Sequence, residues 1–107
     1  MPLGMANLRP ASTGLAVNIH VWKNIDRRAR HGPRVKVYPG KPHEGGEAVV
    51  AIPGEDGEPA EVIDEGALSP RELRGVCSFV ERNWVWLRLY WSDPDFDDTA
   101  LRAHLVP

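Results

Sequence analysis

The chain predicts an α+β fold: a small antiparallel sheet of three to four strands packed on one long amphipathic helix at about 69–92, with a short C-terminal helix. Short alternating or apolar runs between residues 15 and 63, punctuated by Gly-Pro, Pro-Gly and Gly-Gly breaks, read as strands. Leu73, Val76, Cys77, Val80, Trp84, Leu87 and Trp91 then recur at spacings of three and four, the mark of one helix face. The loops between the strands are too short to hold crossover helices, so neighbouring strands run antiparallel.

The long helix has the clearest boundaries. Ser69 suits the N-cap, Pro70 the first helical position, and Glu72 completes an S-x-x-E capping box. Pro94 stops it, because proline disfavours helical geometry at Asp93 and lacks a donor of its own. Upstream, Val17, Ile19 and Val21 alternate with Asn18, His20 and Trp22, which is strand periodicity. Gly32-Pro33 opens a second strand at 34–38 with Val35 and Val37 inward. Residues 47–52 are near-continuously apolar and read as a central third strand, and a short fourth falls near 60–63. After Pro94, a helix starting at about Asp98 uses Ala100, Leu101 and Leu105 and is capped by Asp97 or Asp98. Residues 1–13 lack periodicity and carry two prolines, so they read as a flexible leader to a single domain at 14–107.

With 42% hydrophobic and 26% charged residues, the 107-residue chain has the composition of one ordinary globular domain. Cys77 is the one cysteine, which excludes an intramolecular disulfide and a multi-cysteine zinc module; its place on the apolar stripe makes it a buried thiol. No apolar run approaches the roughly 20 residues of a membrane span, and no secretory pattern is present, so a cytoplasmic protein is expected. His20, His31 and His43 lack the short paired spacing of zinc ligands. The run Asp93, Asp95, Asp97, Asp98 lacks the glycine of a calcium loop and puts His104 where its glutamate belongs. Neither a metal nor a cofactor is expected.

Charge is segregated along the chain. Residues 23–41 hold seven basic side chains against Asp26 alone, and residues 44–65 hold eight acidic ones and no basic one. Arg27, Arg28, Arg30, Arg34 and Lys36 are therefore candidates for binding phosphates or an acidic partner, and Glu55, Asp56, Glu58 and Glu61 for a basic partner. Charged loops and strand edges also serve solubility and discourage edge pairing, without any partner. His20 and His31, with cations nearby, are the candidates for metal-independent RNA cleavage, which needs a base, an acid and a cationic surround. Phe79, Trp86 and Tyr90 fall on a second face of the long helix and form a candidate aromatic interface, covered by the tail helix, a second copy of the chain or another protein.

The strand at 17–22, the R-H-G-P-R-V-K-V hairpin at 30–37 and the pattern Leu68, Leu73, Val80, Asn83, Leu87, Trp91 resemble a family of small bacterial proteins of unknown function. Its members are often encoded beside toxin–antitoxin or mobile-element genes. The resemblance implies a fold and a genomic setting more than an activity, because the P-H-F-H-type cluster of that family is here reduced to His31. Two function classes follow. One is a small non-catalytic protein that occupies a partner's surface, for instance a phage-type inhibitor of a nucleic-acid-handling or defence complex whose acidic edge mimics phosphate. The other is an RNA-directed toxin or RNA-binding protein using 23–41.

Overall fold

The computed structural model describes residues 5–23, 32–39 and 46–107. Five strands form one antiparallel sheet in the order of the chain: β1 (Met5–Leu8), β2 (Asn18–Trp22), β3 (Arg34–Tyr38), β4 (Ala48–Ala51) and β5 (Glu61–Asp64). Helix α1 (Pro10–Thr13) links the first two strands. Helices α2 (Pro70–Arg82), α3 (Trp84–Ser92) and α4 (Asp98–His104) follow the sheet.

Alternation along the strands gives the sheet two unlike faces. Ala6 lies opposite Val21, and Leu8 opposite Ile19. Val37 pairs with Ile19 and Ala48, and Val35 with Val21 and Val50. All of these side chains are buried in one cluster with Val76, Phe79 and Val80 of α2, Leu87 and Tyr90 of α3, and Leu101 of α4. The helices therefore cover this face. The other face carries Met5, Asn7, His20, Trp22, Arg34, Lys36 and Tyr38.

Two expectations need correction. The sheet has five strands, not three or four, because Met5–Leu8 in the expected leader pairs along β2. Its alternation of Ala6 and Leu8 with Met5 and Asn7 is only four residues long, too short to stand out between flanking prolines. Pro10 then opens α1, which Gly14 closes in the left-handed conformation (φ 74°) while donating its N–H to Pro10 O at 2.8 Å. The exposed edge of β1 is covered by α4, whose Arg102 donates to Asn7 O at 3.2 Å.

The expected long helix is two helices. Asn83, fully buried, takes φ −115° and ψ 16° and separates α2 from α3. Its Nδ2 donates to Phe79 O, the carbonyl four residues back, at 3.0 Å, sharing that acceptor with the Asn83 backbone N–H at 3.1 Å, a side-chain bond that competes with regular helix geometry. The same Nδ2 donates to Val106 O at 2.8 Å, and Val106 N–H donates to Asn83 Oδ1 at 2.7 Å. One side-chain amide thus pairs with the backbone of the C-terminal segment as a neighbouring strand would.

The start of α2 follows its local chemistry. Ser69 and Glu72 make both bonds of the capping box, at 3.1 and 2.8 Å. At the far end of the helical layer, Lys23, just after β2, donates to Tyr90 O, Asp93 O and Phe96 O at 3.0, 2.6 and 2.5 Å. Its ammonium also lies 4.0 Å from the Tyr90 ring centroid. All three donors of the ammonium meet carbonyls, and two of these, on Tyr90 and Asp93, lie at the C-terminus of α3, where the macrodipole favours a cation. Asp97 caps α4 by accepting from Ala100 N–H at 2.8 Å.

Val80 and Leu87 are fully buried, while Trp91 is half-buried and stands outside the core cluster. Val80→Ala and Leu87→Ala should each cost about 2–5 kcal/mol in urea denaturation, and Trp91→Ala clearly less than either. Equal losses at all three positions would contradict this placement of the core.

Candidate functional site

The turn from β4 to β5 carries Glu55, Asp56 and Glu58; Glu61 begins β5, Asp64 ends it and Glu65 follows. All six side chains are exposed. Among the described residues, none of the six lies within ion-pair distance of a cation. The turn is anchored by Glu81 of α2, whose Oε2 accepts from Ala60 N–H at 2.9 Å. Toward the end of β5 away from this turn its register against β4 shifts: Val50 faces Val62 but Val49 faces Asp64, so Ile63 is an extra residue. Such a bulge bends the edge and turns its side chain outward. Ile63 is accordingly 52% exposed, an apolar side chain within a run of carboxylates.

A recess of about 490 Å³ continues this surface toward α2. Asp56, Glu58 and Glu81 line it with Gly57, Ser78 and Arg82, so three carboxylates face one guanidinium. The acidic candidates Glu55, Asp56, Glu58 and Glu61 thus share one continuous edge. Ile63 gives no signal in the sequence, because a bulge leaves no mark on a run as short as E-V-I-D. Just beyond β5, Gly66 adopts φ +56°, and a Cβ there would lie 2.4 Å from Glu47 O.

The basic candidates divide. Arg27, Arg28, Arg30 and His31 lie outside the described residues. Arg34 and Lys36 stand on the sheet face opposite the helices, two residues apart on β3. Lys36 Nζ is 3.8 Å from Glu47 Oε1, with both side chains well exposed, an arrangement that contributes little to stability. Arg34 has no carboxylate within ion-pair distance among the described residues. His20 lies directly opposite Lys36, so the hairpin does bring these two together. Its ring, however, is only 5% exposed and packs 4.7 Å from that of Tyr38. A general base has to reach the hydroxyl it deprotonates, and His20 is sealed in.

The aromatic candidates also change role. Phe79 and Tyr90 are fully buried and supply the chain's own core, not a partner interface. The physical reason is angular. At about 100° per residue, Val76, Phe79, Val80, Asn83, Leu87 and Tyr90 fall within one arc roughly 100° wide, so the two faces read from the sequence are margins of a single one. Trp86 stays half-buried, stacked on Phe96 at 6.4 Å and packed on His104 at 4.3 Å, so α4 and its approach occupy that side. Cys77 is half-buried, and burial followed by the nearby Glu81 pushes its thiol up, away from nucleophilic chemistry. Among the described residues, no group of three or more His, Cys, Asp or Glu side chains could hold a metal ion. Among the same residues, no helix is long and apolar enough to cross a membrane.

Tyr90 links the core to α4 by donating its hydroxyl to Asp98 Oδ1 at 2.6 Å. Burial first, and this bond to Asp98 second, raise its pKa well above the ordinary 10.0. Because the folded value lies above the unfolded one, the stabilisation is complete below about pH 10 and is lost as pH climbs through the folded value. Tyr90→Phe should therefore cost about 1 kcal/mol at neutral pH and flatten the loss of stability above about pH 10, both measured by urea titration across pH. An unchanged alkaline limb would contradict the assignment.

No family model, curated protein or solved structure matches the chain.

Proposed function

We propose that the protein is a small non-catalytic binding module that docks a basic protein partner on its acidic β5 edge. The observation that carries this reading is Ile63, half exposed within a run of six exposed carboxylates, none of which lies within ion-pair distance of a cation among the described residues. Carboxylates arranged in this way raise the rate at which a cationic surface arrives and repel anionic ones. The bound state needs an apolar anchor as well, and Ile63 supplies it. The bulge and the charges also disfavour simple strand addition to β5. The partner is held by side chains, not by extension of the sheet.

A basic surface of this kind is typical of proteins that handle nucleic acid, where the acidic edge would stand in for phosphate. The resemblance to small bacterial proteins encoded near toxin–antitoxin and mobile-element genes suits a blocking role in the cytoplasm. The sealed His20 and the raised Cys77 thiol both support binding over catalysis.

The test is affinity capture from host lysate with the intact chain as bait. A variant carrying Glu55→Lys, Asp56→Lys, Glu58→Lys and Glu61→Lys should lose the retained protein, and Ile63→Asp should weaken retention at least about tenfold, as loss of a central anchor does. Thermal stability should change little in both, since the positions are exposed. Retention unaffected by the fourfold reversal would sink the proposal.

A further inference from the structure

We propose a second surface: the Trp22 end of the sheet face opposite the helices binds single-stranded nucleic acid, with Trp22 stacking on a base and Arg34 and Lys36 holding the adjacent phosphates. The register makes this juxtaposition. His20 pairs with Lys36 and Val21 with Val35, so the next step sets Trp22 against Arg34. Directly opposed residues of an antiparallel pair lie about 5 Å apart. Trp22 is 36% exposed, on the face that contributes nothing to the core cluster.

Arg34 and Lys36 share that face at a separation of about 7 Å along β3, a spacing that neighbouring phosphates of an extended strand can match. Arg34 lacks an acidic partner among the described residues, and the Lys36–Glu47 contact at 3.8 Å between exposed groups is weak enough for a phosphate to replace. Behind them, the His20–Tyr38 pair is a packed floor, not a contact surface. Across the sheet, Ala51 and Val49 separate these cations from Glu61 and Asp64 on β5. The acidic strand repels phosphate, so a bound strand runs along β2 and β3 and does not cross the sheet. An accessible aromatic beside paired cations is the arrangement by which sequence-tolerant single-strand binders work. A duplex, whose bases are stacked inward, offers nothing to Trp22.

The surface is independent of the acidic edge, so either can fail alone. The experiment is fluorescence anisotropy with a labelled oligonucleotide of about twelve nucleotides, within the range one such surface occupies. It is run as single-stranded RNA, as single-stranded DNA and as the matching duplex, at low and moderate salt. The proposal expects binding of the single strands that weakens with salt, and a clear preference over the duplex. Trp22→Ala should weaken binding about tenfold. Arg34→Gln with Lys36→Gln should lower the log–log salt slope by about 1.4, roughly 0.7 for each phosphate no longer neutralised. These are exposed or half-exposed sites, and circular dichroism verifies that each variant folds. Should Trp22→Ala fail to fold, Trp22→Leu keeps the surface apolar and removes the stacking plane. Undetectable binding at low salt, equal affinity for duplex, or a salt slope unchanged in the double variant would each overturn the proposal.

Discussion

The arrangement of the helical layer depends on one buried side-chain amide. Asn83 lies at the centre of the face that α2 and α3 turn to the sheet, with no exposure to water. A buried amide left unpaired costs on the order of 1–3 kcal/mol, so its position is tolerable only with partners. Phe79 O supplies one and the backbone of Val106 supplies two more. Meeting them accompanies the break between α2 and α3 at residue 83 and fixes the C-terminal segment beside the junction. The path of α4 is then bounded at both ends, by this contact and by the Tyr90–Asp98 bond.

Lys23 does for the other end of α3 what Asn83 does for its start. Its ammonium gathers three carbonyls from the end of α3 and the following loop, tying the helical layer to the end of β2. Burial pushes its pKa down, while Asp93, Asp98, Asp97 and Asp95 act in the opposite sense. With α4 laid over the β1 edge, the exposed parts of the sheet are the Trp22 end of its outer face and the β5 edge. Those are the two surfaces to which binding roles are assigned, one cationic with an aromatic and one acidic with an aliphatic side chain. Segregated charge along the chain thus becomes segregated charge in space, because a meander keeps sequence neighbours adjacent.

The legible parts of the sequence are those with local causes. The capping box at Ser69, the proline stop after α3, the Asp97 cap and the strands around Ile19, Val35 and Val50 all depend on near neighbours in the chain. The helix break does not, since it depends on Val106, twenty-three residues away in sequence. A polar residue at the centre of the buried face also displaces the perceived stripe sideways, toward Trp84 and Trp91, and makes Phe79 and Tyr90 look like a second face. Strand β1 escapes because four residues give too few alternations. At the candidate site, the acidic edge can be read directly from composition. Ile63 and Trp22 acquire meaning only through register: a bulge in one case, a cross-strand neighbour in the other.

Amide hydrogen exchange at Val106 tests the Asn83 account most directly. An exposed residue beyond the last helix, outside any strand, ordinarily exchanges at the rate of an unstructured peptide. With its N–H held by the buried Asn83 Oδ1 at 2.7 Å, Val106 should instead be protected far above that level, and Asn83→Ala should abolish the protection while leaving α2 amides slow. Exchange of Val106 at the unstructured rate in the wild-type chain would contradict the account.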